Sequence, residues 1–152
     1  MSKIIIVVML LISTCLFGQD KVDNSIMYDK TNIYYDAVYR FLFPVKEKKE
    51  QIIIENNSIT DYLPKQVGNI SLEIINTSDK LFLKRLRKEK KIRIRRVIPI
   101  KVTPSGQFKI SIIYFDVIYK KKSEIEFVNM GGLDILYEYD SDNKVFVFQE
   151  IE

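Results

Sequence analysis

The sequence contains no histidine and no tryptophan, and its one cysteine is Cys15. Without histidine there is no Ser-His-Asp or Cys-His nucleophile and no imidazole ligand for a metal. With one thiol, no disulfide can form within the chain, so stability has to come from a packed core. Glycine (5) and proline (4) are scarce, which argues against collagen-like or linker-like segments and for regular elements joined by polar turns. No glycine-rich phosphate loop occurs; Gly131-Gly132 reads as a turn leading into a strand. The acidic stretch Asp140-Ser141-Asp142-Asn143 lacks the spacing and distal glutamate of an EF-hand and reads as a hairpin turn. No metal and no cofactor is implied.

What is present is an ordinary globular composition. The 152 residues are 47% hydrophobic and 29% charged, with a formal net charge of +4. That length predicts one domain, long enough to bury a core without covalent staples. The mildly basic balance suits acidic partners but says little about fold.

The first eighteen residues form a unit of their own. Lys3 is a short positive region, Ile4 to Phe17 is apolar apart from Ser13 and Thr14, and Gly18 precedes an abrupt change to polar sequence at Gln19-Asp20. This three-part pattern predicts a signal peptide over residues 1–18, leaving a mature domain over 19–152 with no cysteine. The apolar stretch is short of the ~20 residues of a comfortable transmembrane helix. The alternatives are an uncleaved anchor, a buried helix, and lipidation at Cys15, since Leu11-Ile12-Ser13-Thr14-Cys15 loosely resembles a lipobox.

Along the mature chain, Thr31 or Asn32 can cap a helix from Ile33, where Ile33, Ala37 and Phe41 share a face with Tyr34, Val38 and Leu42 beside them. Phe43-Pro44 should end it, and Lys46 to Glu50 is a charged turn. Ile52-Ile53-Ile54 and Ile70 to Ile75 predict strands, and Ser78 or Asp79 starts a second helix reaching about Lys90. From Lys91 the period becomes two, with Ile92, Ile94, Ile98, Ile100 and Val102 on one side of a long strand. Arg96 falls on that side, so either it snorkels or a bulge shifts the phase. Thr103 to Gly106 is a turn, and Gln107 to Tyr119 a strand apolar on both faces. Further strands follow at 124–128, 133–139 and 145–151, with turns at 129–132 and 140–143. The expected fold class is α+β, an N-terminal helix packed on a curved antiparallel β-meander.

Two pieces carry a resemblance. Ile98-Pro99-Ile100 to Tyr114 is a strand with proline, a turn with glycine and a long apolar strand. Gly131-Gly132 to Val147 is a Leu- and Tyr-rich strand, a turn with Asn143-Lys144 and a closing strand, with Phe146 where such proteins often carry tryptophan. This order is similar to small exported cystatin-like or NTF2-like proteins. The resemblance implies a sheet curled around one helix and leaves the function open, since these folds host enzymes, binding modules and inhibitors alike.

Two groups of residues are candidates for function. Lys84, Arg85, Arg87, Lys88, Lys90 and Lys91 close the second helix, and Arg93, Arg95 and Arg96 follow on the next strand. Among them Lys84, Arg87, Lys88, Arg93, Arg95 and Arg96 either form a solvated face with local ion pairs, to Glu89 for instance, or an anion-binding patch for an acidic protein or an anionic envelope surface. Export and the lack of a binding motif exclude nucleic acid, and a membrane enters only if Cys15 is lipidated. The second group is Asp116 in the run Ile112 to Ile118, with Tyr34, Tyr35, Tyr39 and Tyr114. A buried, unpaired Asp116 would have a raised pKa and could do acid-base work in a pocket; paired with an arginine or facing solvent it would not. The sequence therefore favours a small exported non-catalytic binding protein of the cell envelope. The alternatives are an NTF2-like pocket enzyme using Asp116 and tyrosines, and an inhibitor or neutraliser of a secreted hydrolase or toxin.

Overall fold

The computed structural model describes residues 32–42, 51–121 and 124–152. Residues 1–18, expected to be a signal peptide, with Cys15 among them, and Phe43-Pro44 and the charged turn expected at 46–50 lie outside the described residues.

Helix α1 spans Ile33–Leu42. Asn32 caps it, its Oδ1 accepting from the backbone N–H of Tyr34 (3.0 Å) and Tyr35 (3.3 Å). Strand β1 is Ile52–Glu55, followed by a single 3₁₀ turn at Thr60–Tyr62, then β2 (Gln66–Val67) and β3 (Ile70–Ile75). Helix α2 spans Lys80–Glu89, capped by Asp79 Oδ1 on the N–H of Leu81 (2.8 Å). It closes on Lys90 in a left-handed conformation (φ 68°), whose N–H bonds to the Leu86 carbonyl. The remaining strands are β4 (Lys91–Val97), β5 (Lys101–Val102), β6 (Phe108–Tyr119), β7 (Ile125–Asp140) and β8 (Val145–Ile151).

The strands form one curved, open sheet in the order β2-β3-β1-β4-β6-β7-β8, with β5 on β6. Half of it is the expected antiparallel meander. The other half is not: β1 pairs parallel with both β3 and β4. The reason is the crossover from β3 through α2 to β4, which carries the chain over β1 and leaves that strand between its two successors. A parallel pair needs a crossover and not a tight turn, supplied by residues 56–69 from β1 to β3 and by α2 from β3 to β4.

The crossover also puts the helices on opposite faces. Ile52 and Ile54 join α1, Val97, Ile110, Ile112, Ile135 and Tyr137 in one buried cluster. Ile53 points the other way, into a second cluster with Phe82, Leu86, Ile92, Ile94 and Val117 under α2. A strand of three consecutive isoleucines is thus explained: β1 is covered on both sides.

Two strand expectations are corrected. The long strand from Lys91 stops at Val97, and Ile100 packs into the α1 cluster instead of continuing the Ile92-Ile94 face. Pro99, without an N–H, interrupts the ladder. Conversely, the turn expected at 129–132 is a bend inside the sixteen-residue β7, which stays paired to β6 on both sides of a register shift between Ile113 and Phe115. Gly131 (φ +91°) makes the bend, and at Gly132 an added Cβ would stand 2.6 Å from the Ile112 carbonyl oxygen.

Candidate functional site

The β4–β6 register runs unbroken from Lys91↔Ile118 to Val97↔Ile112, so the faces of the basic residues can be assigned. Arg93 stands opposite Asp116 and Arg95 opposite Tyr114, on the α1 side. Arg96 shares the α2 side with Ile92 and Ile94, and no bulge shifts the phase. Its guanidinium lies over the rings of Phe115 (4.7 Å) and Phe127 (5.6 Å) and pairs with both oxygens of Glu55, from Nε to Oε2 and from Nη2 to Oε1. The planar, weakly hydrated guanidinium suits this half-buried stacking site.

Asp116 is buried, only 4% exposed. Arg93 donates to it twice, Nε to Oδ1 at 2.8 Å and Nη2 to Oδ2 at 3.2 Å, and Lys91 Nζ lies 3.4 Å from Oδ2. The Arg93 hydrogen bonds, helped by Lys91, outweigh the desolvation and hold the carboxyl below its ordinary pKa. Asp116 is thus an ionised ion-pair acceptor at neutral pH. Tyr114 packs against Phe41 of α1 (5.3 Å between centroids), with the Arg95 guanidinium 5.7 Å from its ring. Tyr35 and Tyr39 stack on each other along α1 (6.5 Å), and Tyr34 accepts a hydrogen bond from the Ile100 N–H (3.1 Å). Two shallow clefts of about 280 and 290 Å³ lie elsewhere, one between β3 and α2 and one at the β7 bend, and neither includes Asp116 or these tyrosines.

The remaining basic residues are on α2. Phe82 and Leu86 define its buried side. At 100° per residue the opposite arc is centred on Lys84 and Lys88, with Lys80 and Leu81 flanking it. Arg87 lies toward the sheet end, its guanidinium 5.9 Å from the Tyr119 ring, and Lys90 Nζ is 5.3 Å from the same ring. Arg85 is engaged by Glu73 (2.8 Å) and Glu89 (2.9 Å). Lys80, Lys84 and Lys88 take part in no ion pair among the described residues.

The single basic patch read from the sequence is therefore divided. Lys84, Arg87 and Lys88 lie on α2, Arg93 and Arg95 on the far side of the sheet, and Arg96 within an ion pair between them. Lys80 and Leu81 were not singled out from the sequence, although extending the helical period one turn upstream from Lys84 reaches Lys80. A polar network at α1 also went unseen: Tyr137, 1% exposed, donates its hydroxyl to Asp36 (2.9 Å), which pairs with Arg40 (2.6 Å), whose guanidinium sits 3.8 Å from the Phe148 ring centroid. Burial, with Asp36 beside it, pushes the Tyr137 hydroxyl far above the usual phenol range. Among the described residues no three Cys, Asp or Glu side chains are grouped to hold a metal, and no helix is long and apolar enough to cross a membrane.

Comparison with protein-family models, with curated proteins and with solved structures gives no match to this chain.

Proposed function

We propose that this chain is a small exported, non-catalytic binding protein of the cell envelope, and that it engages an acidic protein through the outer face of α2. The observation that carries the reading is the state of the cations. Arg85, Arg93, Arg96, Lys109 and Lys120 are all committed to carboxylates of the chain itself. Lys80, Lys84 and Lys88 project together from the outward side of α2 without such a partner among the described residues. Rim cations of this kind steer association and set its salt dependence.

Export rests on Lys3, the apolar run Ile4 to Phe17 and Gly18. The cystatin-like or NTF2-like reading rests on α1 lying against the β4-β6-β7-β8 part of the sheet; the parallel β1, β3 and β4 are an addition to that pattern.

The test is chemical crosslinking in envelope extract, comparing the native chain with a Lys84→Glu, Lys88→Glu variant. A discrete acidic partner captured by the native chain, and lost with the variant, is the expected result. Equal capture by both would remove α2 from the reading.

A further inference from the structure

The charges of this chain are sorted along it. Between Lys80 and Lys101 the sole acid is Glu89, and between Gly131 and Glu152 the sole base is Lys144. The first stretch supplies the outer face of α2. The second supplies β7 and β8, the outermost ribbon of the sheet.

The pairing shows what that ribbon displays. Asp134 lies opposite Ser111, on the side of the sheet that carries α2, and alternation puts Leu136 and Glu138 on the same side. Across the ribbon, Val147 pairs with Glu138, Val145 with Asp140 and Glu150 with Leu136, so these too share that side. The α2 of the same molecule covers β1, β4 and β6 and does not reach them. Val145 and Val147 stay 40% and 44% exposed, and Glu138 and Glu150 take part in no ion pair among the described residues.

The two surfaces complement each other. The helix offers Lys84 and Lys88, about 6 Å apart along its axis, beside Leu81, which is 76% exposed. The ribbon offers Glu138, paired with Val147, and Glu150, paired with Leu136, one on each side of a register shift and beside the two valines. An α2 laid across the ribbon sets lysine against glutamate and leucine against valine. Within one molecule this cannot occur, because the buried side of α2 already holds it to β4 and β6.

We propose that copies of this chain associate with one another, the outer face of α2 of one copy lying across the acidic, valine-bearing face of the β7–β8 ribbon of another. The proposal rests on the reading of α2 as a docking surface and names a second copy as an occupant. The contact closes as a two-fold dimer where each copy's α2 lies on the other's ribbon, and propagates into a ring or a filament where it is not returned.

Sedimentation velocity of the full exported chain over a range of concentrations tests this. Association to a dimer or beyond is expected at low salt, and a drop of about tenfold or more in association at high salt, where screening shortens the reach of the charges. Two reversed variants sharpen the result: Lys84→Glu with Lys88→Glu, and Glu138→Lys with Glu150→Lys, each checked for native circular dichroism. Each alone should be monomeric, and an equimolar mixture should associate again, since the reversed helix of one meets the reversed ribbon of the other. Leu81→Asp, which changes no lysine, should also weaken the native assembly. A native chain that stays monomeric at low salt and high concentration overturns the proposal, as does a mixture that stays monomeric. A monomeric native chain that still captures an acidic envelope partner through Lys84 and Lys88 overturns self-association alone and leaves the proposed function standing.

Discussion

Arg93 and Asp116 face each other across the β4–β6 ladder and are joined by two hydrogen bonds of 2.8 and 3.2 Å, with the carboxylate buried and the guanidinium half-exposed. Burying a carboxylate is unfavourable unless it is paired, and this pairing keeps Asp116 charged.

The pair makes stability depend on acid. The folded-state pKa of Asp116 lies below its unfolded value. Its contribution is therefore complete above the unfolded pKa, about 3.9, and is lost as pH falls from there through the folded pKa. Urea unfolding at a series of pH values should show this acid limb, and Asp116→Asn should flatten it while lowering stability at neutral pH. A limb of unchanged steepness in Asp116→Asn would assign the acid sensitivity to other carboxylates.

The Tyr137 hydroxyl ties the buried sheet to α1 through Asp36. Tyr137→Phe keeps the ring, which packs edge-on to Phe148 at 6.2 Å, and deletes the bond. A loss of about 1 kcal/mol is expected, read as a shift in the urea midpoint at constant slope. Asp36→Ala should cost a similar amount, and the double variant less than the sum of the two, because the residues share one interaction.

Arg96 fills a pocket of two phenylalanine rings and Glu55, whose side chain is only 15% exposed. Arg96→Gln leaves that carboxylate without its partner and should cost about 1–3 kcal/mol. Adding Glu55→Gln should recover part of the loss. If the double variant is as unstable as the sum of the singles, stacking and not charge is what Arg96 contributes.

At Gly132 the β6 backbone at Ile112 and Ile113 leaves no room for a Cβ. A methyl group there meets backbone, which cannot rotate away, so Gly132→Ala should destabilise by about 1–3 kcal/mol. Gly106, in a turn with open space around its added Cβ, separates crowding from conformation: its φ of +86° makes Gly106→Ala a test of strain alone. Thermal unfolding of both variants beside the native chain distinguishes the two costs.

Much of this architecture is legible locally. Asp79 before an amphipathic decapeptide marks α2, the alternation after Lys91 marks β4, and the turns at Thr103 and Asp140 bound β6, β7 and β8. The features that escape local reading depend on partners distant in sequence. Periodicity says that Ile52 to Ile54 is a strand, but not that it runs parallel to β3 and β4, since strand direction is set by the crossover. Arg96 breaks an apolar pattern, and its justification is Glu55, on a different strand. Gly131-Gly132 has the composition of a turn, and only the continuing pairing with β6 makes it a bend. For the candidate site, sequence proximity joined Arg93 and Arg95 to Lys84 and Lys88, while the pleat of β4 sends them to opposite sides of the sheet. Asp116 stands out as a carboxylate in an apolar run, but the cation that pairs with it lies on the neighbouring strand.

The position of β1 has a consequence for the order in which the chain can assemble. Among the described strands it comes first in the chain, yet its ladder partners are β3 and β4, and Ile54 meets Arg95 only after α2 has been traversed. The long β6–β7 ribbon closes through a short connection and has no such wait. Contacts between residues close in sequence form at lower entropic cost. That ribbon is therefore expected to nucleate folding, with Ile110→Val and Ile135→Val slowing it. Substitutions in β1 such as Ile53→Val should mainly speed unfolding. The three isoleucines of β1, buried between the two helices, would then be the last to be shielded from water, and until β4 is made they stay open to capture by a chaperone.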